Sequence, residues 1–219
     1  MQRKLSASLF LGPNPRSHGS PTPRFHGSRV NKHRLIARAF AGFFLLGATA
    51  LAGSLVPSAL RSAIIVRSAG YERNFNERSG EAVLAVVVGK TGSAADDGRA
   101  MSDTFTKLLH ETRIGTRKAR VLTITHESNN RTNEELSNAH AEIVYLAKGL
   151  EGLSGGIPGE SGGVKRILVC ADGADVALGC TLGVELDGEK SRIVLNLKQA
   201  NAAGLRFDSG LLRLARIVR

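Results

Sequence analysis

The sequence predicts an α/β fold with three layers, in which helices cover both faces of a mostly parallel sheet that ends in an antiparallel hairpin and a closing helix. Two observations carry this prediction. Apolar runs of strand length alternate with helical stretches, which is typical of a parallel sheet with crossover helices. Near the C-terminus, two strands of alternating polarity flank Asp187-Gly188, a dipeptide that favours a tight hairpin.

The first elements are a helix, a buried strand and a second helix. Residues 58–75 place most apolar side chains on one side and the arginines elsewhere, which predicts an amphipathic helix. The continuous apolar run at 82–88 predicts a strand buried on both faces. Residues 98–111 repeat apolar side chains at helical spacing, and we expect Asp96 or Asp97 to cap the start of this helix.

Three more strands and a short helix follow. Residues 119–126 predict the second strand, and Thr132–Glu135 form a capping-box pattern that predicts the start of a short helix. Residues 141–149 and 166–172 predict the third and fourth strands. Between them, the glycine-rich residues 155–163 predict a flexible surface loop.

The C-terminal part begins with the hairpin, for which Asp187-Gly188 predicts a type I′ turn. Asn196 stands where the second hairpin strand stops, and we expect its side chain to bond the backbone at the turn into a helix. Gly204 is expected to end that short helix in the left-handed conformation.

A last helix is expected to close the core. Its apolar face consists of Leu211, Leu214, Ala215 and Val218, and its solvated face carries Arg213, Arg216 and Arg219. The alternative is a terminal helix that binds a partner instead of packing on the core.

The N-terminal part has the layout of an export signal. The formal charge is +11, and residues 1–52 contain eight Lys/Arg and no acidic residue. Lys32, Arg34 and Arg38 precede an uncharged apolar stretch, which is too short for a comfortable membrane span and ends in Ala50-Leu51-Ala52. We therefore predict a signal peptide at 30–52 that is cleaved after Ala52. An uncleaved membrane anchor is the alternative.

The segments on either side of this signal differ. Residues 1–29 hold four of the six prolines and are predicted to be disordered. Because a signal peptide normally begins at the first residue, we hypothesise that translation starts near Val30. Residues 53–219 are long enough for a single domain.

No catalytic, metal or cofactor site is predicted. Gly89-Lys90-Thr91 resembles the end of a phosphate-binding loop, but Leu84 stands where such a loop needs its first glycine. The three histidines after residue 53 lack helical metal-site spacing, and no Gly-x-Ser-x-Gly motif occurs. Since most of the excess positive charge precedes residue 53 and tryptophan is absent, we expect no nucleic-acid partner.

Cys170 and Cys180 are the only cysteines of the chain. An exported protein meets an oxidising compartment, so we predict a disulfide between them. Such a bond would make the geometry of the intervening loop depend on redox state. The alternative is two reduced cysteines that face opposite sides of the sheet.

The C-terminal 30 residues resemble the signature of the YfiR-like family. The matching positions are Asn196 at the end of a strand, Ala203-Gly204-Leu205 at the end of a short helix, and then Ser209, Leu211, Leu212, Leu214 and Ala215. The order of the upstream elements is also similar, so the resemblance covers most of residues 58–219.

The resemblance implies an exported, non-enzymatic regulator. Members of this family bind the periplasmic part of an inner-membrane diguanylate cyclase and hold it inactive, and release raises cyclic-di-GMP in the cytoplasm. Some relatives are associated with sensor kinases, so a kinase partner is an alternative within this class. A periplasmic small-ligand binder, using the crevice beyond the strand ends, is the second hypothesis. Either hypothesis is compatible with a homodimer of the chain.

Overall fold

The computed structural model describes residues 55–219, and the predicted signal peptide and the preceding residues lie outside this range. The described elements are, in chain order, α1 (Ser58–Ala69), β1 (Ala82–Val88), α2 (Gly92–Glu111), β2 (Ala119–Thr125), α3 (Asn129–Asn138), β3 (Ile143–Leu146), a first 3-10 helix (Glu151–Gly156), β4 (Glu160–Ser161), β5 (Val164–Lys165), β6 (Ile167–Cys170), a second 3-10 helix (Gly173–Leu178), β7 (Leu182–Asp187), β8 (Lys190–Asn196), α4 (Leu197–Ala202), α5 (Ser209–Leu214) and β9 (Ala215–Val218).

A seven-stranded sheet in the order β2-β1-β3-β6-β7-β8-β9 organises the domain. The pairs from β2 to β7 are parallel, β7 and β8 are antiparallel, and β9 returns parallel to β8. The predicted mostly parallel sheet with a C-terminal antiparallel hairpin is therefore confirmed. β4 and β5 form a separate two-stranded hairpin.

Two cores lie on opposite faces of this sheet. Every residue of β1 is buried, because its side chains alternate between the two cores. Leu84 and Val86 face the core that is shared with α1, α2 and the C-terminal helices, whereas Val83 and Val87 face the core that contains residues of α3 and both 3-10 helices. This is the three-layer arrangement predicted from the sequence.

The start of α2 differs from the prediction. The helix begins at Gly92 and is preceded by Thr91, whose side chain makes no capping bond. Asp96 and Asp97 therefore lie inside the first two turns and do not cap the helix. Gly92 has a φ of 68°, which is accessible to glycine at little cost and allows the chain to turn directly into the helix.

The predicted capping box of α3 is also wrong. The helix begins at Asn129, and the hydroxyl of Ser128 accepts a bond from the backbone N–H of Arg131. Thr132 is buried within the helix, where its hydroxyl lies 3.0 Å from Nδ1 of His126. An earlier serine thus supplies the cap that the capping-box pattern assigned to this threonine.

The helix α1 is shorter than predicted and turns a different side toward the core. It ends at Ala69, and a turn follows up to residue 77. Arg61 is buried, whereas Leu60 is 47% exposed. The structure therefore exchanges the roles that the apolar pattern assigned to these two neighbours, because Arg61 finds charged and backbone partners inside the fold.

Two loops are more ordered or differently built than predicted. Residues 155–163 include the end of a 3-10 helix and part of the β4–β5 hairpin, and Ile157 is buried, so this stretch is not a free surface loop. In the β7–β8 hairpin, Asp187 pairs with Lys190, which places Gly188 and Glu189 at the turn. Only Gly188 has a positive φ, which is the pattern of a type II′ turn and not of type I′.

The end of the chain corrects the expected closing helix. α5 stops at Leu214, and Ala215–Val218 forms β9, which pairs with β8 from Ile193 to Asn196. Leu214 is 63% exposed and does not share a core-facing helical side with Val218. The free edge of β8 offers backbone partners to this β-branched segment, and a continued helix would leave that edge unpaired.

Candidate functional site

The structure contains the predicted disulfide between Cys170 and Cys180. Their Cα atoms lie 5.8 Å apart, and both residues are fully buried in the core that faces α3. Cys170 ends β6 and Cys180 precedes β7, so the bond joins the two ends of the segment that contains the second 3-10 helix. The predicted pair is thus placed where it holds two neighbouring strands and their connection together.

Asn196 is the first residue of the C-terminal signature. Its side-chain oxygen accepts a bond of 3.1 Å from the N–H of Gln199, which caps α4. Its amide nitrogen donates to the carbonyl of Val176 in the second 3-10 helix, at 3.4 Å. The single side chain therefore caps α4 and fixes the end of β8 against the segment closed by the disulfide.

Gly204 ends α4 in the left-handed conformation, with a φ of 65°. The N–H of Leu205 bonds the carbonyl of Ala200 and that of Gly204 bonds the carbonyl of Asn201, which is the Schellman pattern. Leu205 and Ala200 are both buried, so the apolar contact that usually accompanies this motif has its two residues in the core.

The leucines of the signature have different environments. Leu211 is fully buried and Leu212 packs against the same core, but Leu214 is exposed and Ala215 is half-buried in β9. The signature residues up to Leu212 therefore hold the fold together. Leu214 instead contributes apolar area to the surface.

A buried ion pair fastens α1 to α2 at the carboxyl ends of the parallel strands. The guanidinium of Arg61 contacts the carboxylate of Asp97 and donates a bond of 3.1 Å to the carbonyl of Ala171, directly after β6. The other oxygen of Asp97 accepts bonds from the hydroxyl of Tyr145, at 2.8 Å, and from the N–H of Lys148, at 3.0 Å. Sequence reasoning missed this pair. The sequence did contain a signal: Arg61 lies one helical turn before Ile65, which places the two side chains on the same side of α1 and so indicates that Arg61 faces the core.

Tyr145 completes this network from the middle of the sheet. The guanidinium carbon of Arg61 lies 5.6 Å from its ring centroid, a favourable cation–π distance. Burial raises the pKa of Tyr145 well above its usual value, and the nearby charge of Asp97 acts in the same direction. The phenol therefore stays protonated and serves as a donor. These charged side chains occupy the strand ends where a small-ligand crevice was expected.

A second buried network lies at the opposite ends of the strands. The guanidinium of Arg117 donates two bonds to the carboxylate of Glu142, at 2.7 and 2.8 Å, and the same carboxylate accepts a bond of 2.8 Å from Arg78. The guanidinium carbon of Arg117 also lies 4.8 Å from the ring centroid of Phe75. Arg117 further bonds the carbonyls of residues 75, 79 and 80, so it fixes the turn between α1 and β1.

Two grooves flank the outer side of α1, and we call them together the α1 surface. The first, about 360 Å³, lies between α1 and the end of α2, where Val66 and Leu108 contribute apolar area. The second, about 450 Å³, lies between α1 and the end of α5, where Ile64, Ile193 and Leu214 do so. Both grooves are lined by Arg67 and Tyr71.

The lining of the α1 surface combines apolar side chains with positive charge. Its lining is mainly apolar, its charged members are Arg67 and Arg113, and no acidic residue lines either groove. Leu214, which lines the second groove from α5, is 63% exposed. Exposed apolar area bordered by charged side chains is typical of a protein-binding surface.

Within residues 55–219, no cluster of three or more His, Cys, Asp or Glu side chains could hold a metal ion. In the same part of the chain, none of the helices combines the length and the apolar character that crossing a membrane requires.

Comparison with solved structures supports the fold. Two of them are described as the ABC domain in complex with L-Trp from Streptococcus pneumonia and a conserved domain protein from Vibrio cholerae O1 biovar El Tor. Each has a TM-score of 0.51 and 12% sequence identity, over 74% of this chain. The chain covers 62% and 60% of their respective lengths, and at this identity the likeness concerns the fold alone.

Comparison with protein families is more specific. No curated protein matches the chain significantly. The family model described as YfiR/HmsC-like matches residues 58–216, which is nearly the whole of the described domain and includes the signature at its C-terminus. On this match, the chain belongs to the YfiR/HmsC-like family.

Proposed function

We propose that the chain is an exported regulator that binds the periplasmic part of an inner-membrane diguanylate cyclase and represses it. The observation that carries this proposal is the family match over residues 58–216, because the family comprises periplasmic regulators of diguanylate cyclases. The α1 surface adds support, since it offers exposed apolar area next to the positive charge of Arg67.

Export is part of the proposal. Residues 30–52 act as a signal peptide, and the mature chain begins at Gly53, just before the first described element, α1 at Ser58. Residues 1–29 play no part in the mature domain. N-terminal sequencing of the protein from a periplasmic extract tests this step, and a membrane-retained chain that still carries residues 30–52 would contradict it.

Repression works through binding and requires no reaction on this chain. A regulator of this kind needs a surface that discriminates between two states of its partner, because a ligand shifts an equilibrium only by its difference in affinity for the two states. The α1 surface, with α1 held against α2 by the buried Arg61–Asp97 ion pair, is suited to that task.

The test is a deletion of the gene in its own host, followed by measurement of cellular cyclic-di-GMP. Deletion should raise cyclic-di-GMP, and the full chain should restore the low level when it is supplied again. A chain without residues 30–52 should fail to restore it, because it remains in the cytoplasm. Unchanged cyclic-di-GMP after deletion would refute the cyclase as the partner and would favour the sensor-kinase alternative.

A further inference from the structure

The α1 surface has a charge pattern that narrows the chemistry of its partner. Arg67 lines both grooves and lies on the exposed side of α1. Within residues 55–219 it makes no ion pair, whereas five of the ten other exposed arginines in this part of the chain, Arg99, Arg120, Arg131, Arg192 and Arg216, are paired with a carboxylate. The first groove adds Arg113, whose guanidinium bonds only the carbonyl of Thr116.

The second groove is a gap between two elements that cover the same face of the sheet. α1 packs over the strands on one side, and α5 leads into β9 on the other, so Ile193 of β8 lies half-buried between them. Ile64, Tyr71 and Leu214 form the walls. Ile64, Arg67 and Ser68 line the groove from two successive turns of α1, and Tyr71 lines it from the turn that follows the end of the helix at Ala69.

We infer that the α1 surface binds an amphipathic segment of the membrane partner, which inserts apolar side chains beside Leu214 and pairs a carboxylate with Arg67. This inference rests on the proposed function and names the chemistry of the partner. Apolar side chains of the segment supply buried area. On docking, the guanidinium of Arg67 loses bound water, and a carboxylate opposite it compensates that lost hydration with an ion pair. A basic segment is disfavoured, because Arg67 and Arg113 would repel it and no acidic residue lines the grooves.

The experiment uses the full chain with a C-terminal affinity tag, expressed in its own host and recovered from detergent-solubilised membranes. The diguanylate cyclase that is captured is identified and quantified by mass spectrometry. Arg67→Glu and Leu214→Asp should each lower the captured cyclase by about tenfold, which corresponds to a loss of about 1.4 kcal/mol of binding free energy. Arg67→Lys should retain most of the capture, since it keeps the charge.

Matched controls lie on other parts of the molecule. Leu178 is 60% exposed, close to the 63% of Leu214, but it belongs to the second 3-10 helix and lines neither groove. Lys118 is exposed directly before β2, at the opposite edge of the sheet from β9. Leu178→Asp and Lys118→Glu should capture the cyclase as the wild type does, and all variants should keep the wild-type melting temperature.

The outcomes separate this inference from the proposed function. If the wild type captures no diguanylate cyclase, both are overturned. If it captures one and the Arg67 and Leu214 variants capture as much, only the inference is overturned. Sedimentation of the purified proteins provides a further check: a wild-type dimer that these substitutions convert to a monomer would assign the α1 surface to a second copy of the chain and would also overturn the inference.

Discussion

Replacing Asp97 with alanine is expected to lower the free energy of unfolding by about 3–5 kcal/mol, because it leaves the guanidinium of Arg61 buried without a counter-charge. The side chains of Arg61 and Asp97 are only 3% and 9% exposed. The substitution also removes the acceptor of the Tyr145 hydroxyl, at 2.8 Å, and of the Lys148 N–H, at 3.0 Å.

For related substitutions, the loss in free energy of unfolding should increase with the number of bonding partners that each one removes. Tyr145→Phe deletes one bond to the carboxylate and should cost about 1.5–3 kcal/mol, less than Asp97→Ala. In a background that already carries Arg61→Ala, the further cost of Asp97→Ala should fall to about 1–2 kcal/mol, because no buried cation is then left unpaired. The two single substitutions are therefore expected to be strongly non-additive.

Urea unfolding followed by far-UV circular dichroism, with the disulfide intact in every variant, measures these free energies. Asp96→Ala is the matched control, since its side chain is 77% exposed and pairs with Arg99, which is 71% exposed, on the surface of the same helix. That substitution should change the stability by less than about 0.5 kcal/mol. A loss below about 1 kcal/mol for Asp97→Ala, or additive single effects, would refute the reasoning about a buried ion pair.

Three further predictions test the C-terminus, the disulfide and a shifted carboxyl group. In urea unfolding, Leu211→Ala should lower the free energy of unfolding by about 2–5 kcal/mol and Leu214→Ala by less than about 0.5 kcal/mol. Equal losses would instead support a continuous closing helix with both leucines on its core-facing side. Replacing Cys170 and Cys180 together with alanine should cost about 2–3 kcal/mol by the loop-closure estimate, and an unchanged unfolding midpoint would contradict it. Burial and two neighbouring carboxylates raise the pKa of Asp175, so the folded state holds this proton more tightly than the unfolded state; stability should decline as the pH rises through this folded pKa. Asp175→Asn should abolish that decline in melting temperature, and an identical pH profile would exclude Asp175 as its source.

Some features could be predicted because neighbouring residues determine them. β1 reads as a buried strand from its own seven residues, and the helix stop at Gly204 depends on the conformational freedom of one glycine. Asn196 caps α4 through a bond to a residue three positions away. The disulfide could also be predicted, since its two cysteines are only ten positions apart. In each case the information needed was local.

The misplaced helix starts show the limit of local patterns. Thr132 looks like a cap when its four-residue pattern is considered alone, but Ser128 precedes it and the helix already starts there. Asp97 likewise looks like an N-terminal cap. It lies instead in the second turn of α2, where its carboxylate accepts hydrogen bonds from Arg61 and Tyr145, which are 36 and 48 positions away in the sequence.

The sequence by itself determined the mostly parallel sheet, the terminal hairpin, the cap at Asn196 and the helix stop at Gly204, since each depends on side-chain periodicity or on bonds within a few residues. Only the tertiary structure decided that Arg61 is buried and Leu60 exposed, because a charge can enter the core only where distant partners compensate it. It also decided that Ala215–Val218 is a strand, since its backbone groups pair with the edge that β8 presents. Because the chain leaves the helix at Leu214 to form this strand, Leu214 is exposed and contributes to the α1 surface.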